Sequence, residues 1–185
     1  NTQTGIVAGR SALATINDSD IYGNQRGVDL HRGTLVGSRV FDNALEGVTA
    51  NVAPITLTGN TIYSNLYGLF AQAGIGTFTI ANNLFYDHAT AAIRLIGAPP
   101  LAHEIVNNTI YEPIADGIRA TGGAKGIHLR NNIIWTQSGY GIYVDPTSQA
   151  GFTSDYNLLR ADGAANVGYW QGARATLDDW RFAAF

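Results

Sequence analysis

The chain has 185 residues, no cysteine, a net charge of −3, 14% charged residues and 22 glycines. This composition excludes disulfides and thiolate metal sites, offers no general attraction to nucleic acid or anionic membranes, and argues for an ordered fold with many tight turns. No apolar run approaches the roughly 18 residues of a membrane-spanning helix, and Lys125 is the one lysine among 11 basic residues.

The N-terminal stretch NTQTGIVAGR reads like the middle of a domain and carries no secretion signal. A mature chain or a piece of a larger protein is therefore expected. Small residues at Gly5, Gly27, Gly47, Gly68, Ala92, Gly117 and Gly141 each open a short apolar run, from GIVA through GIRA to GIYV. A second marker keeps step with them: Asn60, Asn83, Asn108, Asn132 and Asn157, at intervals of 23, 25, 24 and 25 residues. Ser19 and Ser38 hold that place in the first two units. An aromatic follows three residues after each (Tyr22, Phe41, Tyr63, Tyr86, Tyr111, Trp135) until Arg160 breaks the column. Another alternating run, such as ITLT, FTIA or IHLR, lies just before the Asn.

Three short strands in some 22 to 25 residues leave no room for helices. Four-stranded propeller blades need about 40 residues, and the Leu/Asn framework of leucine-rich repeats is missing. The remaining solution is a chain wound into triangular coils, each side pairing in parallel with the same side of the next coil. Seven coils about 4.8 Å apart make a rod of roughly 34 Å. The marker Asn is expected to turn a corner in the left-handed region and to stack its amide in a ladder along the rod. Ile62, Phe85, Ile110, Ile134 and Leu159 are expected to stack inside, with Ile93, Ile118 and Ile142 on another wall.

The units NNTIYEPIADGIRA and NNIIWTQSGYGIYV resemble right-handed parallel β-helix repeats of the pectate-lyase-like superfamily. The resemblance implies an all-β, right-handed, single-stranded parallel β-helix of about seven coils with three short strands each. It extends over about residues 5–160, within a repeat domain expected over residues 1–160. Residues 161–185 lose the period and carry Leu177, Trp180 and Ala184 at helical spacing, as expected of a short capping helix. Phe185 ends the chain on an apolar note, expected at a truncated boundary or a contact.

In that superfamily, substrate lies along the outer face of the strand that here opens with the small marker. Alternation puts Val7, Asp29, Thr49, Phe70, Arg94, Arg119 and Tyr143 in one outward column. A second column holds Gly9, His31, Asn51, Gln72, Ile96, Thr121 and Asp145. Arg94, Arg119, Tyr143, Phe70, Asp29 and His31 are the candidate ligand-binding residues. Two guanidinium groups one coil apart suit the carboxylates of an acidic polysaccharide, and a tyrosine can stack on a sugar ring. Arg94, Arg119, Tyr143 and Asp145 are the candidate catalytic set, with Asp145 the acid available to it. Asp145-Pro146 resembles the Asp-Pro of alginate epimerases, but Thr147 and Ser148 stand where a His and a second acid belong.

His31 and His88 read as isolated, and Glu104 and His128 as a surface pair. Asp18 and Asp20, within the run NDSD and near Asp42, could hold calcium through oxygen ligands, or form a polar turn. No other cofactor is expected. The aromatic column reads as a partly buried stack between coils in preference to an outward platform for sugars.

Together these readings describe a rigid module of a secreted or surface bacterial protein, structural, with capacity to bind a polysaccharide or a protein partner. A fragment of a polysaccharide lyase, glycoside hydrolase or epimerase is the alternative. End-to-end self-association through open coil ends is a third.

Overall fold

The structure, a computed structural model, describes residues 3–52, 54–72, 76–97 and 101–184. It is a parallel β-solenoid of about seven coils, each contributing one short strand to each of three sheets. Sheet A runs from Thr4–Ala8 to Asn166–Trp170, with the antiparallel strand Ala173–Arg174 added at its end. Sheet B runs from Ala14–Asn17 to Thr153–Asp155, and sheet C from Asp20–Tyr22 to Leu158–Ala161. Coils are numbered here from Thr4–Ala8.

The inner columns follow the alternation of the sequence. Ile62, Phe85, Ile110, Ile134 and Leu159 are in register across sheet C. Leu69, Ile93, Ile118 and Ile142 do the same across sheet A, all sealed from water. Each such side chain removed from water contributes about 1.5–3 kcal/mol, so the apolar columns are the main cohesive force between coils. The small markers have a steric reason. A Cβ on Gly27 would lie 2.4 Å from the carbonyl oxygen of Gly47, and one on Gly117 would lie 2.6 Å from that of Gly141.

The Asn ladder forms, buried between sheets B and C. Oδ1 of Asn108 accepts from the backbone N–H of Asn83 and from its Nδ2, both at 3.0 Å. Asn132 does the same for Asn108, and Asn157 for Asn132. Ser38 Oγ accepts from Ser19 N–H at 3.1 Å, so serine continues the ladder where expected. One expectation is corrected. The left-handed residue is not the ladder Asn but the residue before it: Asp18, Gly37, Gly59, Asn82, Asn107, Asn131 and Tyr156 all have φ between 46° and 66°. The preceding residue makes the turn, which frees the ladder Asn to point its amide inward.

A second polar column lies just beyond the aromatics: Asn24, Asn43 and Asn65, then His88 and Glu112. His88 and Glu112 are fully buried, with Nδ1 and Oε1 2.6 Å apart, so His88 is not isolated. On the outside of sheet C, Tyr22, Phe41, Tyr63 and Tyr86 stack nearly parallel at centroid spacings of 4.7–4.9 Å. Rings stacked along the rod hide their faces and expose edges, which suits cohesion between coils and not a sugar platform.

Beyond residue 160 the chain adds an eighth parallel strand to sheet A, then folds back. Helix α1 (Leu177–Ala184) follows, opened by reciprocal bonds between Thr176 and Asp179. Its Trp180 plugs the end of the core against Phe152 and Trp170. Gly168 makes the socket, since a Cβ there would lie 2.2 Å from the indole. Phe185 lies outside the described residues.

Candidate functional site

The outer face of sheet A gathers most of the functional candidates. Val7, Asp29, Thr49, Phe70, Arg94, Arg119 and Tyr143 lie in one column in the expected order, and Tyr169 extends it. A parallel solenoid keeps one outward position in line from coil to coil, because every strand pairs without a shift in pleat. A neighbouring column escaped the sequence reading. It holds Arg26, Glu46, Tyr67, Asp116 and Tyr140, each the residue just before a small marker. That constant place beside the marker was the available signal.

At the N-terminal end of the face, these columns border an open depression of about 330 Å³. Arg26 and Glu46 form one wall, with Nε and Oε2 2.7 Å apart. Asp29 forms another, accepting from Asn51 Nδ2 at 2.9 Å and lying 3.3 Å from His31 Nε2. His31 therefore has a carboxylate neighbour and is not isolated. Phe70 offers an apolar side, and the buried Thr49 hydroxyl has no hydrogen-bond partner among the described residues.

Further along, the two arginines lean apart. Arg94 turns back toward coil 4, donating from Nη1 to the Tyr67 hydroxyl at 2.6 Å and packing 5.6 Å from the Phe70 ring centroid. Arg119 turns forward to coil 7, its guanidinium carbon 4.0 Å above the Tyr143 ring. Asp116 holds Arg119 from the side, with Oδ2 2.6 Å from Nη1. Tyr143 in turn stacks on Tyr169 at 4.5 Å, and Tyr140 meets both rings edge-on. Burial raises the Tyr143 pKa above the ordinary phenol value, although Arg119 opposes it. The phenol is thus a neutral donor at physiological pH.

Asp145 is committed to the backbone. Its Oδ2 accepts from Gly122 N–H at 2.8 Å and its Oδ1 from the Thr147 hydroxyl at 2.7 Å. Partial burial works against its charge, but these bonds and those to Ser148 outweigh it, and the carboxyl titrates below its ordinary value. The carboxylate braces a loop and does not converge with Arg94.

Asp18 and Asp20 serve separate local purposes. Asp18 makes a left-handed corner with φ 46°, while Asp20 receives Arg39, whose Nε lies 2.7 Å from Oδ1. That bond holds the Asp20 carboxyl below its ordinary pKa. Among the described residues, no three His, Cys, Asp or Glu side chains are grouped to hold a metal ion. Glu104 and His128 are paired across the surface of sheet B at 3.0 Å. No helix among the described residues is long and apolar enough to cross a membrane.

Comparison with curated proteins and with solved structures returned no match. A family model for the right-handed β-helix region matches residues 1–132 and, a second time, residues 49–179. Overlapping matches are what a repeat produces when the model can be laid along it at more than one starting coil. Coil geometry, ladder and family model agree, and the chain belongs to the right-handed β-helix region family.

Proposed function

We propose that this β-helix is a rigid binding module of a secreted or surface protein, with the outer face of sheet A taking an acidic polysaccharide. One observation carries the reading: a continuous outward strip in which a polar depression beside Phe70 leads to Arg94, and then to Arg119 layered on Tyr143 and Tyr169. Carbohydrate recognition combines aromatic area with polar groups fixed in place, and arginine suits a uronate carboxylate. The eight parallel strands hold these groups without a hinge.

The test is a glycan array that includes uronate polymers, read with the unaltered chain and with Arg94→Ala/Arg119→Ala. Binding of an acidic glycan that drops at least about tenfold in the double variant supports the reading. Binding to none, or binding that survives the change, overturns it.

A second reading rests on Asp29 and Glu46, two carboxylates on adjacent coils that border the same depression. Paired carboxylates flanking a bound sugar are the arrangement glycoside hydrolysis uses. Release of reducing ends from a bound glycan, lost in Asp29→Asn and in Glu46→Gln, distinguishes an enzyme from a binding module.

A further inference from the structure

At each corner between sheets B and C the coils are joined by the same three bonds. The left-handed residue donates its N–H to a carbonyl of the following coil, as Asn131 does to Asp155 at 3.3 Å. The ladder residue donates its N–H to the next ladder side chain, as Asn132 does to Asn157 Oδ1 at 2.8 Å. The ladder carbonyl accepts from the residue after the next ladder Asn, as Asn132 O does from Leu158 N–H at 2.8 Å. In the last coil this pattern has no counterpart. Among the described residues, nothing accepts from the N–H of Tyr156 or Asn157, and nothing donates to the Asn157 carbonyl.

Asn157 is half-buried, while the Tyr156 side chain is exposed. Both residues line an open cavity of about 600 Å³ between the edge of the last coil and helix α1. Leu159 gives it an apolar floor, Leu177 and Trp180 an apolar roof, and Arg181 a charged lip. Sheet A is closed at this end by the antiparallel strand Ala173–Arg174, whereas among the described residues sheets B and C end on Thr153–Asp155 and Leu158–Ala161 with a free edge. Two donors and an acceptor in fixed order, with apolar walls on both sides, form a template for one more corner.

We propose that this slot is a strand-addition site for an extended segment of a partner protein, apolar on its inward side and bent at an Asn, which continues sheets B and C by one corner. The occupant is specified by the interface it extends. Its bend must present a side-chain oxygen to Asn157 N–H, as every ladder Asn does to the residue before it. The residues on either side must be extended, with apolar side chains falling above Phe152 and Leu159, where the inner columns point. Main-chain bonds supply attachment and the inward side chains supply selectivity, the usual division in β-strand addition. A whole second copy is a poor fit, because helix α1 stands over the same end of the rod.

The chain's own coils provide the probe. A synthetic peptide ITLTGNTIY, the sequence of residues 55–63, carries a strand, a bend with Asn and a second strand. It is added to the 185-residue chain, and amide hydrogen exchange is followed at Tyr156 and Asn157. Slowed exchange at these two amides is the expected result, with a shift in Trp180 emission. The peptide with its Asn changed to Ala should bind about tenfold more weakly, since it leaves Asn157 N–H without an acceptor. Exchange unchanged by the peptide overturns the proposal, as does equal binding of the Ala peptide. Protection that appears without peptide and grows with protein concentration also overturns it, by making a second copy the occupant. None of these outcomes depends on whether sheet A binds a glycan.

Discussion

Glu112 Oε1 lies 2.6 Å from His88 Nδ1, with both side chains sealed inside the solenoid between coils 4 and 5. The second carboxylate oxygen accepts from His88 N–H at 2.8 Å, so one side chain fastens both the ring and the backbone of the coil before it. Burial pushes the Glu112 carboxyl above its ordinary pKa of 4.5, and the bonds from His88 only partly restore it. Nε2 of His88 has no hydrogen-bond partner among the described residues, so the ring is tied through Nδ1.

Removing one member should cost more than removing both. Glu112→Ala or His88→Ala is expected to destabilise the chain by about 3–5 kcal/mol, as for other buried pairs broken on one side. Urea unfolding of the single and double variants provides the check. A double variant less stable than either single would contradict it.

The pair also gives stability a pH slope of known sign. The folded carboxyl keeps its proton to a higher pH than the unfolded one, so the folded state binds more protons in the window above 4.5. Stability contributed by this group is present in full below the ordinary carboxyl value and falls as pH rises through the raised one. Glu112→Gln keeps an acceptor and removes the ionisation. The unaltered chain should therefore lose stability relative to Glu112→Gln as pH rises above 4.5, as measured by denaturation at a series of pH values.

Much of the sheet A face was legible because a parallel solenoid with period-2 strands repeats each outward position from coil to coil. The His88–Glu112 contact was not. His88 follows its column aromatic, Tyr86, by two residues, whereas Glu112 follows Tyr111 by one. Counting from the aromatics sets Pro113 opposite His88, and only the local backbone path brings Glu112 inward. The corner was misread by one residue for a similar reason: Asn107–Asn108 and Asn131–Asn132 offer two asparagines, and sequence does not say which turns and which points in. The direction of Arg94 and Arg119 depends on Tyr67 and Asp116, in a column the marker pattern had not drawn out.

Adjacent asparagines should respond differently to the same change. Asn108→Ala strips the acceptor from Asn83 N–H and Nδ2 and the donor from the Ile80 carbonyl. Each group left unpaired in the interior costs about 1–3 kcal/mol, so a loss of at least about 3 kcal/mol is expected. Asn107, with φ 56°, makes the turn and donates its backbone N–H to the Arg130 carbonyl, a bond that does not depend on its side chain. Asn107→Gly should be nearly neutral and Asn107→Ala should cost about 1 kcal/mol. Thermal unfolding of the three variants separates the roles.

Asp116→Asn tests whether Arg119 is held back from a ligand. Removing the carboxylate 2.6 Å from Nη1 leaves the guanidinium over Tyr143 with its charge uncompensated. If the strip takes uronates, affinity should rise by roughly threefold to tenfold and weaken with added salt. Titration calorimetry at two ionic strengths reads both effects.

Gly168→Ala should unseat Trp180 without unwinding the coils. A methyl at that position would overlap the indole, so helix α1 must lift. The expected signature is red-shifted tryptophan emission and faster proteolysis after residue 170, with strand content retained. Loss of the whole fold would show that the plug holds the rod together.

The ladder gives the molecule a grain. Every rung reaches forward: its N–H needs an oxygen from the coil that follows, while its own oxygen serves the coil before. At the corner, shearing coils from the N-terminal side leaves two acceptors, such as the Asp155 carbonyl and Asn157 Oδ1, and one backbone donor, the Leu158 N–H. Shearing them from the C-terminal side leaves two backbone donors, such as the N–H groups of Asn131 and Asn132, and one acceptor, the Asn132 carbonyl. The two ends of the solenoid are therefore chemically unlike, one richer in open oxygens and the other in open N–H groups, and a cap that fits one end does not fit the other.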